Sequence, residues 1–446
     1  MLTSDWFGTA HYGRAPELST AALREMLWTG LEDTGMLPSQ TLPAGPFVIP
    51  ARSYGEIFRA ARLLLDLVRR TMLSLADDTT GRIAALGADM ADYPLLYTDE
   101  LIEEEFAASI ARPDVIIGED GPKILEFNPS GAVSGVIETH LLLRTWRAAY
   151  QRTGTFPFQA LDPLVARADL FADTCTERGL PPRLAWIGSR RDLPLANTDR
   201  FFDVELEYLH SRGFTARHFE PEEVSDGLLD GPGGAYPLGL RQFTISEWRD
   251  HGIDLAPIRQ ILDAGCLLLP TQSAGLLDHK KVLALLSTGP AWMSTAERAI
   301  VARYLPWTRI LADEPADWHG SRSGLLDLVE RHQDRFVVKR GEGMKGLQVV
   351  IGRETDPSTW RSTVQDALKR QDSVVQEYVA PASCHLEISM SDHDTEVASV
   401  APVLSPFLFG GRPAGLWARF FAPGRHAGVV SRDGYGAMEN VVVAES

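Results

Sequence analysis

Residues 112–128 read RPDVIIGEDGPKILEFN. Two short runs, Asp114-Val-Ile-Ile117 and Lys123-Ile-Leu-Glu-Phe127, flank the turn-rich Gly118-Glu-Asp-Gly-Pro122, and the pattern predicts a β-hairpin. Side chains two apart on a strand leave the same face, so Glu126 and Asn128 share a face, as do Arg112 and Asp114 on the partner strand. Asp114, Glu126 and Asn128 then offer three oxygen donors on adjacent strands. That set suits Mg2+, which takes one or two carboxylates and completes its octahedron with phosphate oxygens and water. Arg112 would add positive charge beside them. A bare Asp-plus-Glu hairpin is ordinarily a solvated polar face, but the complete R-x-D…E-x-N set is more specific.

A second stretch, residues 335–352, reads RFVVKRGEGMKGLQVVIG. Gly341-x-Gly343-x-x-Gly346 has the spacing of a dinucleotide-binding turn, which must join a strand to a helix. Here residues 335–339 and 347–352 both read as strands, so the motif is the tip of a hairpin. A strand–glycine loop–strand is a flap whose backbone amides can fold over phosphates, with Lys339 in reach of them. No HRD, DFG or GxxxxGK[ST] accompanies it, which excludes a protein kinase and a P-loop NTPase. The plain alternative is a solvated turn with a surface lysine.

Composition narrows the partners. With 43 Lys+Arg against 60 Asp+Glu the 446-residue chain carries a net charge of −17, a field that repels a phosphate backbone and disfavours nucleic acid or an anionic membrane. Cys175, Cys266 and Cys384 are far apart and form no CxxC pair, so a reducing compartment fits better than a disulfide framework. The opening MLTSDWFGTAHYG lacks a basic region ahead of an apolar run, and no segment approaches a membrane span. A cytoplasmic protein is expected.

Helical periodicity marks residues 20–33, 54–75, 135–150, 201–210, 280–288, 295–304 and 358–370. Residues 184–188 and 214–219 read as strands around the 201–210 helix, a βαβ unit. The class is α/β (α+β) with several sheets.

Together these segments resemble the ATP-grasp superfamily. Its magnesium motif ends a core sheet as an acid followed by E-x-N, as in Glu126-Phe-Asn-Pro-Ser-Gly131. Its hinge strand faces adenine, as Val374-Val-Gln-Glu-Tyr-Val379 would. In the usual order E-x-N follows the lysines and hinge, whereas here it precedes them. That is the order of the circularly permuted ATP-grasp proteins, and the chain most closely resembles the synthetase domain of the glutathionylspermidine synthetase-like family. His279-Lys280-Lys281 is similar to that family's Asn-Lys helix, Leu305-Pro306-Trp-Thr308 to its L-P-x-T segment, and Gly411-Arg-Pro-Ala-Gly415-Leu-Trp-Ala-Arg419 to its closing strand pair. The likeness runs from about residue 112 onward. The flap departs from the family's Arg-Glu-Gly, and no amidase domain is present, so glutathione and spermidine are not implied.

The resemblance implies a circularly permuted ATP-grasp fold in three parts. Residues 1–165 would hold the helical N-terminal region and the metal hairpin, 166–275 a Rossmann-like pre-ATP-grasp substrate domain, and 276–446 the nucleotide lobe and final core strands. It further implies ATP and Mg2+ as cofactors, with small-molecule carboxylate and amine substrates, an amino acid or peptide of secondary metabolism, joined through an acyl phosphate. Asp114, Glu126 and Asn128 would hold the metal, and Lys281 and Lys339 the phosphates. Gly341, Gly343 and Gly346 would form the flap, while Gln376, Glu377, Tyr378 and Val379 would line adenine through backbone groups. Arg112 and Arg419 would stabilise the transferring group. Lys345 is a second phosphate contact to consider. Ser130, Ser134 and Arg241 are candidates for holding substrate, beside plainer readings as helix caps and a surface arginine. A small-molecule kinase or a non-catalytic nucleotide-binding protein would use the same fold.

Overall fold

Val115, Ile117, Ile124 and Phe127 are each at most 1% exposed, so one side of the predicted hairpin lies in the core while its polar side faces a cleft. The computed structural model describes residues 4–8, 18–32, 42–152, 154–193, 198–224, 235–343, 348–421 and 437–446. In chain order, α1 (Ser4–Phe7) and α2 (Thr20–Glu32) precede β1 (Leu42–Pro43), β2 (Phe47–Ile49) and α3 (Ala51–Leu73). Ile57, Ala61, Leu64, Val68 and Met72 recur at three- and four-residue steps and give α3 its buried stripe. Next come α4 (Thr79–Leu86), α5 (Glu100–Phe106), the hairpin strands β3 (Ile110–Gly118) and β4 (Gly121–Asn128), α6 (Val136–Gln151) and β5 (Phe158–Gln159). Asp162 caps α7 (Pro163–Arg178), whose first residue is proline and whose end is Gly179 at φ 64°.

The middle of the chain holds β6 (Arg183–Ile187), α8 (Thr198–Ser211), β7 (Thr215–Phe219), β8 (Leu238–Arg241) and β9 (Leu267–Leu269), a four-stranded sheet in the order β7-β6-β8-β9 with every pairing parallel. β6, α8 and β7 are the predicted βαβ unit. β8 and β9 extend it without having been foreseen, because runs as short as Leu267-Leu-Leu269 carry no alternation to read.

The remainder contains β10 (Thr308–Ile310), β11 (Pro315–Trp318), β12 (Ser321–Gly324), β13 (Phe336–Arg340), β14 (Val349–Ile351) and β15 (Ser373–Glu377). After them come β16 (Cys384–Ser391), β17 (Asp394–Val400), β18 (Val403–Phe409), β19 (Arg412–Phe420) and β20 (Met438–Glu445). An antiparallel sheet runs β10-β15-β13-β14, and Val337 pairs with Ile351 across the glycine loop, as a hairpin tip requires. The largest sheet runs β2-β20-β19-β18-β3-β4, with β5 added to β20. The chain's early hairpin is thereby completed by its last strands. Among the described residues no helix is long and apolar enough to cross a membrane.

Two glycines after Asn128 fit the hairpin against its neighbours. A Cβ on Gly131 would lie 2.2 Å from the Arg241 carbonyl oxygen, and one on Gly135, at φ 94°, would lie 2.5 Å from the Trp417 ring. Gly131→Ala must push the loop off β8 and is expected to destabilise the protein by about 1–3 kcal/mol. Gly55→Ala, inside α3 with nothing near its Cβ, is expected to stabilise it by roughly 0.5–1 kcal/mol. Urea unfolding of the two variants beside wild type checks both signs.

Candidate functional site

In the antiparallel β3–β4 pair Arg112 stands opposite Asn128 and Asp114 opposite Glu126, so all four leave one face as their spacing predicted. The row continues across the sheet. Leu404 pairs with Val115, which brings Ser405 beside Asp114, and Ser405 in turn faces Trp417. Arg419, two residues on, shares Trp417's side of β19.

These positions fix a charged cluster. Arg419 Nη2 lies 2.7 Å from Asp114 Oδ2, Ser405 Oγ donates to Asp114 Oδ1 at 2.9 Å, and Arg112 Nε is 3.6 Å from the same oxygen. Burial alone would raise the Asp114 pKa, but the Arg419 and Arg112 guanidiniums hold it below the usual carboxylate range. Arg112 Nη1 donates to the Ser134 carbonyl at 3.1 Å, and burial lowers the Arg112 pKa. Asn128 Nδ2 donates to the Arg112 carbonyl at 3.1 Å, which turns the amide oxygen away from that bond. Asp114 and Ser405 are 291 residues apart in sequence, which is why Ser405 carried no local signal.

The antiparallel sheet packs over β4. Lys339 Nζ and Gln376 Nε2 each donate to the Leu125 carbonyl at 3.3 Å, and Gln376 also donates to Thr308 Oγ1 at 3.1 Å. Lys339 is buried, which lowers its pKa, while Glu126 opposes the shift.

The second lysine differs from expectation. Lys281 Nζ donates to the Leu86 carbonyl at 2.7 Å, away from the hairpin. Lys280 Nζ instead lies 3.6 Å from Glu126 Oε2 and 3.6 Å from Asp278 Oδ1, and donates to the Gly343 carbonyl at 3.2 Å. His279 caps the helix Lys280–Ser287 by accepting the Lys281 amide, and consecutive helical side chains then diverge by about 100°, so only one lysine can face the site. Burial would lower the Lys280 pKa, but Asp278 and Glu126 hold it above the ordinary lysine value.

The flap base is bound on both sides. Gly341 donates to the Asp372 carbonyl at 2.6 Å and accepts from the Lys280 amide at 2.9 Å. Glu342 accepts from the Tyr93 hydroxyl at 3.0 Å, and burial raises its pKa. Gly346 and Lys345 lie outside the described residues.

At the hinge, the Glu377 amide donates to the Trp307 carbonyl at 2.8 Å and the Tyr378 amide to the Arg335 carbonyl at 2.7 Å. These two backbone donors are engaged within the protein. The Glu377 carboxylate contacts His319 at 2.9 Å and Arg335 at 3.3 Å, and Val379 packs against Gly118.

A cavity of about 940 Å³ adjoins the hairpin. Arg112, Asn128 and Arg419 line it, as do Asp278, Glu342 and Gly343, and the remaining lining comes from the loop and helix after Asn128, from Arg167 and from residues in and around the parallel sheet. That volume suits a small organic ligand. Ser130 Oγ accepts the Ala132 amide at 3.1 Å. Arg241 is neither on the surface nor a free clamp: it donates to the Pro270 and Thr271 carbonyls at 3.1 and 3.3 Å, and burial pushes its pKa down to about 10. Asp278 was not anticipated; burial raises it to about 6, with Glu126 adding to the rise and Lys280 opposing it.

Among the described residues no group of three His, Cys, Asp or Glu side chains gathers to hold a metal. Asp114, Glu126 and Asn128 nevertheless put two carboxylates and an amide oxygen on one face of the hairpin, with Asn128 at the cavity wall, a donor set of the hard-oxygen kind that magnesium takes once Asp114 shares the oxygens it now gives to Arg419 and Ser405.

The fold is that of a mixed α/β protein, and it is shared with a solved structure. Over 97% of this chain and 99% of the other, it matches the apo structure of a glutathione synthetase-like effector from Globodera pallida, at a TM-score of 0.59 and 11% identity. A candidate gamma-glutamylcysteine synthetase from Methylobacillus flagellatus KT aligns over 86% of this chain and 87% of its own, at a TM-score of 0.40 and 12% identity. No family profile and no curated protein sequence matches the chain.

His279 makes the site's foundation sensitive to acid. Burial, then Lys281 and Lys280, lower its pKa to about 3 from an ordinary 6.5. A depressed histidine favours the fold above its unfolded pKa and loses that contribution as pH falls from 6.5 toward 3, a loss of about 2 kcal/mol by pH 5. His279→Asn keeps a capping side chain without the charge. Its stability should fall less steeply than wild type between pH 6.5 and 5, as read by urea midpoints.

Proposed function

We propose that this chain is an ATP-dependent carboxylate–amine ligase on a circularly permuted ATP-grasp framework, using ATP and Mg2+. The convergence of Asp114, Glu126, Asn128, Arg112 and Arg419 with Lys280 and Lys339 around one hairpin, with Arg112, Asn128 and Arg419 at the cavity wall, carries the reading. Asp114, Glu126 and Asn128 would hold magnesium, which would neutralise phosphate charge when bound. Lys339 and Lys280 would meet phosphate oxygens, and Lys280 must then give up part of its contact with Glu126. Gly341 and Gly343 would carry the flap over the phosphates and exclude water. Gln376, Glu377, Tyr378 and Val379 would border adenine, with the Glu377 and Tyr378 amides shaping the hinge rather than reading the base.

A substrate carboxylate oxygen would attack the γ-phosphorus, breaking its bond to the β,γ-bridging oxygen and releasing ADP. An amine nitrogen would then add to the acyl carbon of the acyl phosphate. Phosphate leaves and the nitrogen loses a proton to give an amide. Arg112 and Arg419, fixed by Asp114, would face the charge that builds on the transferring phosphoryl group and the tetrahedral carbon. The fold shared with the synthetase-like effector supports this reading.

Calorimetry of ATP with and without Mg2+ tests it. Joint replacement Glu126→Ala with Asn128→Ala should weaken binding by at least about tenfold in Mg2+, roughly 1.4 kcal/mol, and leave metal-free binding unchanged. Lys339→Met should lower ADP release about a hundredfold. Wild type that binds no ATP in Mg2+ overturns the proposal, and ADP release that is equal with and without amine turns it toward a kinase.

A further inference from the structure

Arg167 on α7 is 2% exposed and lies deep in the wall of the cavity. Its Nε donates to Glu205 Oε1 at 2.7 Å and its Nη2 to Glu205 Oε2, a two-pronged pair in which Glu205, on α8, is 1% exposed. The guanidinium also lies over the Phe409 ring, 6.0 Å from its centroid. Among the described residues none accepts a hydrogen bond from Arg167 Nη1. A guanidinium presents five donors, and an ion pair fixes this one while leaving that nitrogen for something else. The same cavity is lined by the apolar Val136 and Ile137 from the first turn of α6 and by Trp186, Phe201 and Phe202, and by the polar Glu138, Ser189, Arg191, Asp192 and Arg241. That turn of α6 begins just beyond Ser134, whose carbonyl holds Arg112. One cavity therefore carries Arg112 and Arg419 of the hairpin cluster, Arg167, and a group of apolar side chains.

Resting on the ligase reading, we infer that the carboxylate substrate bears a second carboxylate, which Arg167 Nη1 binds while the intervening apolar segment lies against Ile137 and Phe202. A planar guanidinium already oriented by Glu205 loses little freedom on binding such a group. Arg167 sets specificity and takes no part in the reacting centre. A buried ion pair is weak support for stability by itself, so a ligand-binding role gives this one a reason to border the cavity.

The test is calorimetry of the full chain with Mg2+ and a non-hydrolysable ATP analogue, using unbranched dicarboxylates of graded length and their monomethyl esters as probes. Wild type should bind at least one dicarboxylate about tenfold more tightly than its monoester. The paired replacement Arg167→Met with Glu205→Leu leaves no lone buried charge and should bind both equally, with nucleotide affinity unchanged. Arg167→Lys keeps the charge without the planar fork and should retain about a third of the discrimination, which keeps the test open if the paired variant fails to fold. Wild type that binds no dicarboxylate, or does not prefer one to its ester, overturns the inference, as does a paired variant that still discriminates. Dicarboxylate discrimination in a protein that binds no nucleotide would instead sink the ligase reading and leave the Arg167 site standing.

Discussion

The Asp114–Arg419 ion pair is the constraint on which the rest of the site depends. Two charges removed from water must be matched closely, and here Ser405 and Arg112 supply the further contacts that a lone pair would lack. Asp114 is thereby kept ionised, Arg419 is aimed, and Arg112 is held between Asp114 and the Ser134 carbonyl. These side chains come from three neighbouring strands, Arg112 and Asp114 from β3, Ser405 from β18 and Arg419 from β19, so the sheet order β19-β18-β3-β4 and the position of its charges specify one another.

A similar economy joins the smaller antiparallel sheet to the hairpin. Lys339 and Gln376 converge on one backbone oxygen, that of Leu125, between buried Ile124 and half-buried Glu126. Lys280 then ties Glu126 to the flap base at Gly343. The hairpin's Glu126, the buried lysines and the base of the glycine loop are thus linked through a few polar contacts.

Much of this could be read in the sequence, for identifiable reasons. Period-two spacing put Glu126 with Asn128 and Arg112 with Asp114, and the apolar alternation after Gly346 turned a dinucleotide motif into a hairpin. These features are local. What sequence reading missed depends on contacts between distant segments. Which of Lys280 and Lys281 enters the site follows from the phase that His279 gives the helix, a one-residue matter that composition cannot settle. The Glu377 and Tyr378 amides are taken by Trp307 and Arg335, residues whose approach to β15 no local pattern announces. Arg241 read as a candidate for holding substrate or as a surface arginine, and its bonds to the Pro270, Phe243 and Thr271 carbonyls arise because β8 meets the turn after β9.

Asp114 lies on β3, inside the sheet, and gains Ser405 and Arg419 only once β18 and β19, in the last quarter of the chain, have been made. Contacts of such long sequence separation form late, after the loop-closure entropy of the intervening chain has been overcome. A ribosome-bound fragment ending before β18 would therefore carry Asp114 and Arg112 on an uncapped strand without Ser405 or Arg419. The parallel-sheet domain, whose pairings all lie between Arg183 and Leu269, has no such dependence and can mature first. The parallel sheet thus has all its strand pairings in place before Asp114 gains the distant partners that hold its charge.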